Sequence, residues 1–436
     1  QAPAASNGLL DADITSTSTS LTLTPQGSGD EYPLSGKVLI NSEVIAFSKV
    51  AGTDILTFNL SDRGSNNTIP TDHSESDTVQ LCLEYINRKV SYIAFKLLNE
   101  FAGIEIDLFD LDGWSAEVDA FLPGLLTGII TKPFDVFKLL IELAEAMPHY
   151  LWWDERLNLI RLTALKGPPI GSNIIDMKEN IVADSFMTKD RPELRLSTVY
   201  MNFGQFDPTK DLSDASNYQQ TYIRADTDSI RKYGVGEIKT INSRWITNTN
   251  AFAAQNAAKL IGRRFSDTPR EVSFSLEDKD SNFWTGQTVN VNHRDIVAPT
   301  GAPIDTIFQI ITAKEGASFN YTALEFNYGD VLPGEPVDGV IQIPISGTQI
   351  NINLRTIYNQ LGVAPDKDTQ VTFYVENGSV IGSTSTSTYA VDTGSWPEID
   401  GTGTGKITLQ TVASSFIVGK GGNGGDANVA SRGIGN

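Results

Sequence analysis

Gly419-Lys420-Gly421-Gly422-Asn423-Gly424 satisfies G-x-G-x-x-G, the spacing that lets a backbone approach a dinucleotide pyrophosphate. That chemistry needs a buried strand before the loop, a long helix after it and an acidic residue about 20 positions on. A strand before it is available in "KITLQTVASSFIV", but only twelve residues follow Gly424. Gly425, Gly433 and Gly435 among them are poor helix formers, so the nucleotide reading fails on context. A second pattern is "DLFDLDGWSAEVD", in which Asp110, Asp112 and Gly113 match part of a calcium loop. With Gly113 at position 6, Leu108 occupies the first ligand position and Asp119 stands where a bidentate glutamate belongs. A solvated acidic turn opening a helix is the expectation there.

Other chemistries are short of partners. His73, His149 and His293 lie far apart, none has an i+4 ligand partner, and each is expected on the surface or in a loop. Cys82 is the only cysteine, which excludes an internal disulfide and a four-cysteine zinc site. No G-x-S-x-G elbow occurs. Asp154 and Glu155 beside Trp152 and Trp153 would suit glycan cleavage or a sugar platform. Adjacent tryptophans where a helix meets a hairpin are instead expected to plug a small core. No residue is therefore assigned to catalysis, to a cofactor or to a metal.

The chain has 436 residues, too many for one ordinary core, and about three domains is the prior. With 40% hydrophobic and 20% charged residues it reads as globular. Its 53 acidic and 33 basic residues leave a net charge of -20, which disfavours sequence-independent nucleic-acid binding. The same charge suits a surface that nucleic acid passes without sticking. No run of about 18 apolar residues is present, so no membrane-spanning helix is expected. A first residue of Gln1 and a glycine-heavy end suggest a piece of a longer polypeptide.

The elements that would position these residues are mostly strands. "KVLINSEVIAFSKV" and "ILTFNL", separated by "AGTD", predict a hairpin, and "TVQLCLEYI" a further strand. Val90, Ile93, Ala94, Leu97, Leu98 and Phe101 fall on one helical stripe ended by Gly103. A second helix is expected over "KPFDVFKLLIELAEAM", with Pro133 in its first turn and Phe137, Leu140, Ile141, Ala144 and Met147 as its apolar face. "YLWWDERLNLIRLTALK" predicts a hairpin, so 86–166 is a compact α+β unit, and "GPPIG" marks a break after it. "LRLSTVYMNFG" predicts a strand, Asp207 to Asp228 a polar loop, and "NTNAFAAQNAAKLIGRRF" a third helix capped by Thr249 or Asn250. Its face would be Ala253, Ala257, Leu260 and Ile261. "REVSFSLE", "QTVNVNH", "IFQIITAKE" and "TALEFNYG" predict strands, and the Pro/Gly-rich text from about 331 is mostly β to the end. No repeat of 20–50 residues is apparent, so a solenoid is not expected.

Taken in order, these segments resemble tail-tip hub and central-fibre proteins of long-tailed bacteriophages. Ile40, Glu43, Ile45, Arg63, Gly64, Thr68, His73 and Val79 occupy an I-x-x-E-x-I strand, an R-G-x-x-x-T turn and a later H-x-x-x-x-x-V. The family's usual glycine after the histidine is replaced here by a Ser/Glu/Asp run. "CLEYINRKVSYIAFKLLNEFAGI", the Trp114–Glu117 turn, "KPFDVFKLLIELAEAMPHYLWWDERLNLIRLTALK" and "SRWITNTNAFAAQNAAKLIGRRFSDTPREVSFSLEDKD" are similar to the family in the same order. The resemblance covers about residues 35–330.

It implies a mainly β, multidomain, baseplate-hub-like architecture in which barrel-like domains continue the tail tube and α+β parts are inserted. The expected divisions are a β-rich domain at 1–85, an α+β domain at 86–170, a β-rich hub domain with one helix at 171–335 and a C-terminal β module at 336–436. The implied role is a non-enzymatic homotrimer at the virion tail tip. It would close the tube, meet the distal tail protein, the tape-measure protein and the tip fibre, and engage a host receptor while DNA passes a carboxylate-lined lumen. The C-terminal text also resembles phage tip and adhesin modules ending in glycine-rich runs. Gly419, Gly421, Gly422, Asn423, Gly424 and Gly425 are then candidates for receptor-facing or tip-packing backbone, with a flexible linker as the other reading. A tail-associated cell-wall or glycan hydrolase and a stand-alone receptor-binding adhesin are the functional alternatives.

Overall fold

The structure is a computed structural model. It describes residues 1–122, 124–165, 174–176, 180–234, 236–277, 279, 283–297, 301, 304–316, 318–326, 336–337, 340–345, 348–359, 365–375, 380–385, 387–399, 401–411 and 416–419. Strand dominates, at 39% against 22% helix. The chain divides into two compact units, residues 1–114 with 126–329, and residues 115–125 with 330–436.

The first unit opens with a six-stranded antiparallel sheet built from β1 (Leu9–Leu10), β2 (Ser20–Thr24), β3 (Ser35–Ile40), β4 (Glu43–Lys49), β5 (Ile55–Thr57) and β6 (Val79–Leu81), in the order β1-β2-β5-β4-β3-β6. Val79 N donates to Gly8 O at 2.9 Å and Leu9 bridges Thr78, so β1 also meets β6 and the sheet nearly closes into a barrel. Alternation along the strands turns Leu21, Leu23, Val38, Ile40, Ile45 and Phe47 into one core with Leu56 and Val79. "KVLINSEVIAF" is itself a hairpin, because Asn41 takes a left-handed φ of 53° between the paired Ile40 and Glu43. Asparagine tolerates that region, and the turn was missed for want of a glycine.

β7 (Leu83–Arg88) follows a break at Cys82 and leads into α1 (Val90–Lys96), which continues as a π-helical turn through Phe101. The Trp114–Glu117 stretch is helical rather than a turn, lying inside α2 (Leu111–Phe121). β8 (Leu126–Ile130) pairs antiparallel with β7. α3 (Val136–Ala146) starts later than expected: Asp135 caps it by accepting Lys138 N at 3.0 Å, and Pro133 lies outside. Its buried residues are Leu139, Leu143 and Ala146, with Met147 just beyond, while Phe137 is 71% and Ile141 46% exposed. Apolar residues cover most of this helix's circumference, so periodicity alone could not choose the buried side.

β9 (His149–Asp154) and β10 (Leu159–Ala164) form the expected hairpin. Short β11 (Ile174–Asp176) and β12 (Met187–Asp190) precede β13 (Leu196–Gln205). The expected loop over 207–228 instead contains β14 (Tyr218–Ala225) and leads into α4 (Thr227–Tyr233). β14 is polar because its outer face meets solvent, and it pairs antiparallel with β13 while β15 (Glu237–Asn242) pairs parallel on the other side. α5 (Ala251–Arg264), capped by Asn250 as expected, packs on β13 and β14. It is buried on nearly every side, Gln255, Asn256 and Lys259 included, not only along the expected face. β16 (Arg270–Leu276), β17 (Thr288–Asn292), β18 (Thr306–Lys314) and β19 (Phe319–Glu325) form a second six-stranded sheet in the order β11-β17-β18-β19-β16-β12.

The second unit is mostly β, as expected, but it corrects the expectation of no solenoid, for it winds as a short parallel β-solenoid. Its strands are β20 (Pro336–Val337), β21 (Val340–Ile345), β22 (Thr348–Ile350) and β23 (Ile352–Asn353), then α6 (Leu354–Asn359). β24 (Gln370–Val375), β25 (Val380–Gly382), β26 (Val391–Asp392), β27 (Lys406–Thr411) and β28 (Phe416–Val418) follow. β21, β24 and β27 stack in parallel register, as do β22, β25 and β28, with β23 on β26. Ile341, Val371 and Ile407 share one column and Ile343, Phe373 and Leu409 another. The rungs differ in length, 30 residues from Val340 to Gln370 and then 36 to Lys406, so no fixed period shows in the text.

Candidate functional site

The residues that carried the family pattern converge on one buried carboxylate. Glu43 opens β4 and is fully buried. Its two oxygens receive Arg63 Nε at 2.7 Å and Arg63 Nη2 at 2.9 Å, a bidentate pair. Gly64 N and Thr71 N each add a hydrogen bond at 3.0 Å, and His73 Nε2 lies 2.8 Å from Oε2. His73 Nδ1 takes Asn41 Nδ2 at 3.4 Å, which assigns the histidine proton to Nε2. Burial alone would raise the Glu43 carboxyl, but the bonds from Arg63, His73, Thr71 and Gly64 outweigh it and hold it down to about 2.

Arg63 spends its remaining donors on Thr15 O at 2.6 Å, Ser18 O at 3.3 Å and Thr71 O at 2.7 Å. Thr68 Oγ1 accepts Val44 N at 3.0 Å and donates to Ser65 O at 2.8 Å. Gly64 has a φ of 62°, and a Cβ there would come within 2.7 Å of Thr68 O, so only glycine fits the turn. The network therefore clasps the loop between β5 and β6 onto the barrel. With every oxygen of Glu43 engaged inside protein, the cluster positions backbone and offers no group to a substrate. The loop it holds presents Asn66 and Asn67, both at positive φ.

All three histidines are buried, which corrects the surface half of the expectation, while His73 and His293 do lie in loops and His149 opens β9. His149 Nδ1 donates to Met147 O at 2.6 Å, and burial keeps its imidazole neutral, down to about 4. His293 stacks on Phe186 with ring centroids 3.7 Å apart. Among the described residues no group of His, Cys, Asp and Glu is placed to hold a metal. Asp110 accepts Gly113 N at 3.0 Å and pairs with Arg161 at 2.8 Å, the capping role of an acidic turn that opens a helix. Asp154 accepts the amides of Arg156 and Leu157 in the β9–β10 turn, and Glu155 is exposed. Trp152 is half-buried and crowds Gly286, while Trp153, on the opposite face of the strand, is 44% exposed.

In the solenoid unit, polar side chains bridge successive rungs. Asn351 Oδ1 accepts Thr384 N at 3.0 Å, Asn353 Nδ2 donates to Asp392 at 2.9 Å and Asp368 Oδ1 accepts Thr404 N at 2.8 Å. Arg355 pairs with Glu398 at 2.7 and 3.0 Å and lies over Trp396, whose ring meets Tyr358 at 5.0 Å. Gly419 is exposed and nothing crowds the place of its missing side chain. Gly421, Gly422, Asn423, Gly424 and Gly425 lie outside the described residues.

Residues 340–435 match the model of a family described as phage tail fibre adhesin Gp38, under a quarter of the chain. No curated protein matches. Among solved structures, the chain is similar to a protein in the virion of a native gene transfer agent particle, at 12% identity and a TM-score of 0.39 over 58% of this chain. It spans about half of that protein, 49% of its length. Prophage tail protein gp18 from Listeria monocytogenes EGD-e matches at 11% identity and a TM-score of 0.32, over 73% of this chain and 88% of that one. The 43 kDa tail protein of prophage MuSo2 from Shewanella oneidensis matches at 11% and 0.35, over 73% and 94%. The family match begins on the first residue of β21 and runs through the solenoid, so it is this unit that is similar to a phage tail fibre adhesin, and the match marks the chain as a component of the virion tail.

Proposed function

We propose that the chain is the tail-tip hub of a long-tailed phage, a homotrimeric structural protein without catalytic activity. Its first unit closes the tail tube and docks the distal tail ring, the tape-measure protein and the tip fibre. Its C-terminal unit takes part in host attachment, and the acidic chain lets DNA pass at ejection. The observation that carries the attachment role is the parallel solenoid over the adhesin-family match, a rigid stack whose outward side chains vary without cost to the ladder. The barrel-like first sheet, with its hub-type motif gathered on Glu43, supports the structural role. The four-part division at 1–85, 86–170, 171–335 and 336–436 belongs to the same proposal, as does a receptor-facing or tip-packing role for Gly419, Gly421, Gly422, Asn423, Gly424 and Gly425.

Light scattering on the purified chain tests the assembly. A mass of three times 47.4 kDa supports the hub, and a monomer at micromolar concentration contradicts it. The hydrolase alternative is separated by a clearing assay on purified cell walls. No clearing is expected, and clearing lost on Glu155→Gln would replace the structural reading with an enzyme.

A further inference from the structure

The loop held by Glu43 forms one wall of a pocket of about 160 Å³ that lies wholly within the first unit. Asn66, Asn67, Phe206, Gln219, Arg244 and Asn248 line it. They come from three segments distant in sequence: the clasped loop, the β13–β14 region and the turn before α5. Gly204 lets the walls approach, for its φ is 70° and a Cβ there would lie 2.8 Å from that of Asn248.

The wall chemistry selects a neutral polar ligand. Arg244 is engaged by Glu142 at 2.9 and 3.2 Å, and Glu84, the acidic side chain of the lining, is paired with Lys37 at 2.6 Å. Neither charge is left over for an ionic ligand, since displacing a paired partner is costly. The amides are differently placed. Asn67 Nδ2 donates to Phe206 O at 2.9 Å and Asn248 Nδ2 to Gln219 Oε1 at 2.6 Å, so each is fixed by one polar atom. Asn66 Oδ1 is buried with no hydrogen-bond partner. Phe206 is 49% exposed and supplies an aromatic face beside these amides. The volume holds about five waters at roughly 30 Å³ each, the bulk of one sugar ring.

We propose that this pocket binds a single unit of a neutral saccharide, hydroxyls on the Asn67, Gln219 and Asn248 amides and a C–H face against Phe206. Planar amides present paired donors and acceptors to vicinal hydroxyls, and an aromatic face takes the apolar side of the ring. The site uses residues outside 340–435, so it stands or falls separately from the attachment role of the C-terminal unit.

The test is saturation-transfer NMR on the full chain with methyl glycosides of glucose, galactose, mannose and N-acetylglucosamine. Transfer to at least one is expected, with a Kd in the millimolar range weakened about tenfold by Phe206→Ala and by Gln219→Leu. Phe137→Ala, an exposed aromatic on α3, should leave it unchanged. Both test side chains are solvent-facing, and circular dichroism verifies each fold; should Phe206→Ala fail to fold, Gln219→Leu decides. No transfer to any of the four, or transfer indifferent to both substitutions, overturns the assignment.

Discussion

Glu43 ties together Arg63, His73 and the backbone of Gly64 and Thr71, so its removal strands a buried guanidinium. Breaking a buried ion pair from one side costs about 3–5 kcal/mol, and Glu43→Gln should lose that much in urea unfolding. The pH dependence follows from the same geometry. A carboxyl held near 2 against 4.5 contributes roughly 3 kcal/mol above pH 4.5, lost as pH falls towards 2. His149 acts in an earlier window. The unfolded chain takes its proton near 6.5 and the buried imidazole only near 4, so stability falls by a similar amount between those values. Unfolding free energies measured from pH 7 to 2 should therefore decline in two steps. Glu43→Gln should flatten the lower step and His149→Leu the upper. The members of the clasp were picked out only through the family resemblance, which places Glu43, Arg63, Gly64 and His73 in one motif. Its burial was not legible: a lone histidine or arginine in polar text carries no sign that a carboxylate waits beneath it.

At the scale of elements, α3 offers a clean contrast. Leu143→Ala should cost about 2–5 kcal/mol, while Ile141→Ser should stay within about 0.5 kcal/mol. The opposite result in chemical denaturation would restore the face that includes Phe137 and Ile141. Strands with alternating apolar residues, such as "VSFSL", were readable because one side is buried and the other half-exposed, whereas "KVLI", buried on both faces, was readable by its branched apolar residues. β14 was not, since its polar text matches a loop until β13 pairs with it. The solenoid hid for a different reason. Each rung alternates correctly, as in "VIQIPI", "QVTFYV" and "KITLQT", but unequal connections erase the period that marks a repeat. The pocket lining was out of reach altogether, because no local signal joins Asn66 to Phe206 and Asn248.

For the whole molecule, the net charge of -20, the barrel-like sheet and the adhesin-family match over 340–435 are what the proposed structural role rests on. Composition and motif failures pointed away from nucleotide, metal and triad chemistry, and the structure gives Asp110 and Asp154 local capping roles, each accepting a backbone amide. The assembly itself is a property of copies together, which one chain's pattern does not encode. The direct measurement is immunogold electron microscopy on intact phage, with antibodies raised against the purified chain. Gold confined to the distal end of the tail is the predicted result, and gold on the head or spread along the tail shaft would contradict the account.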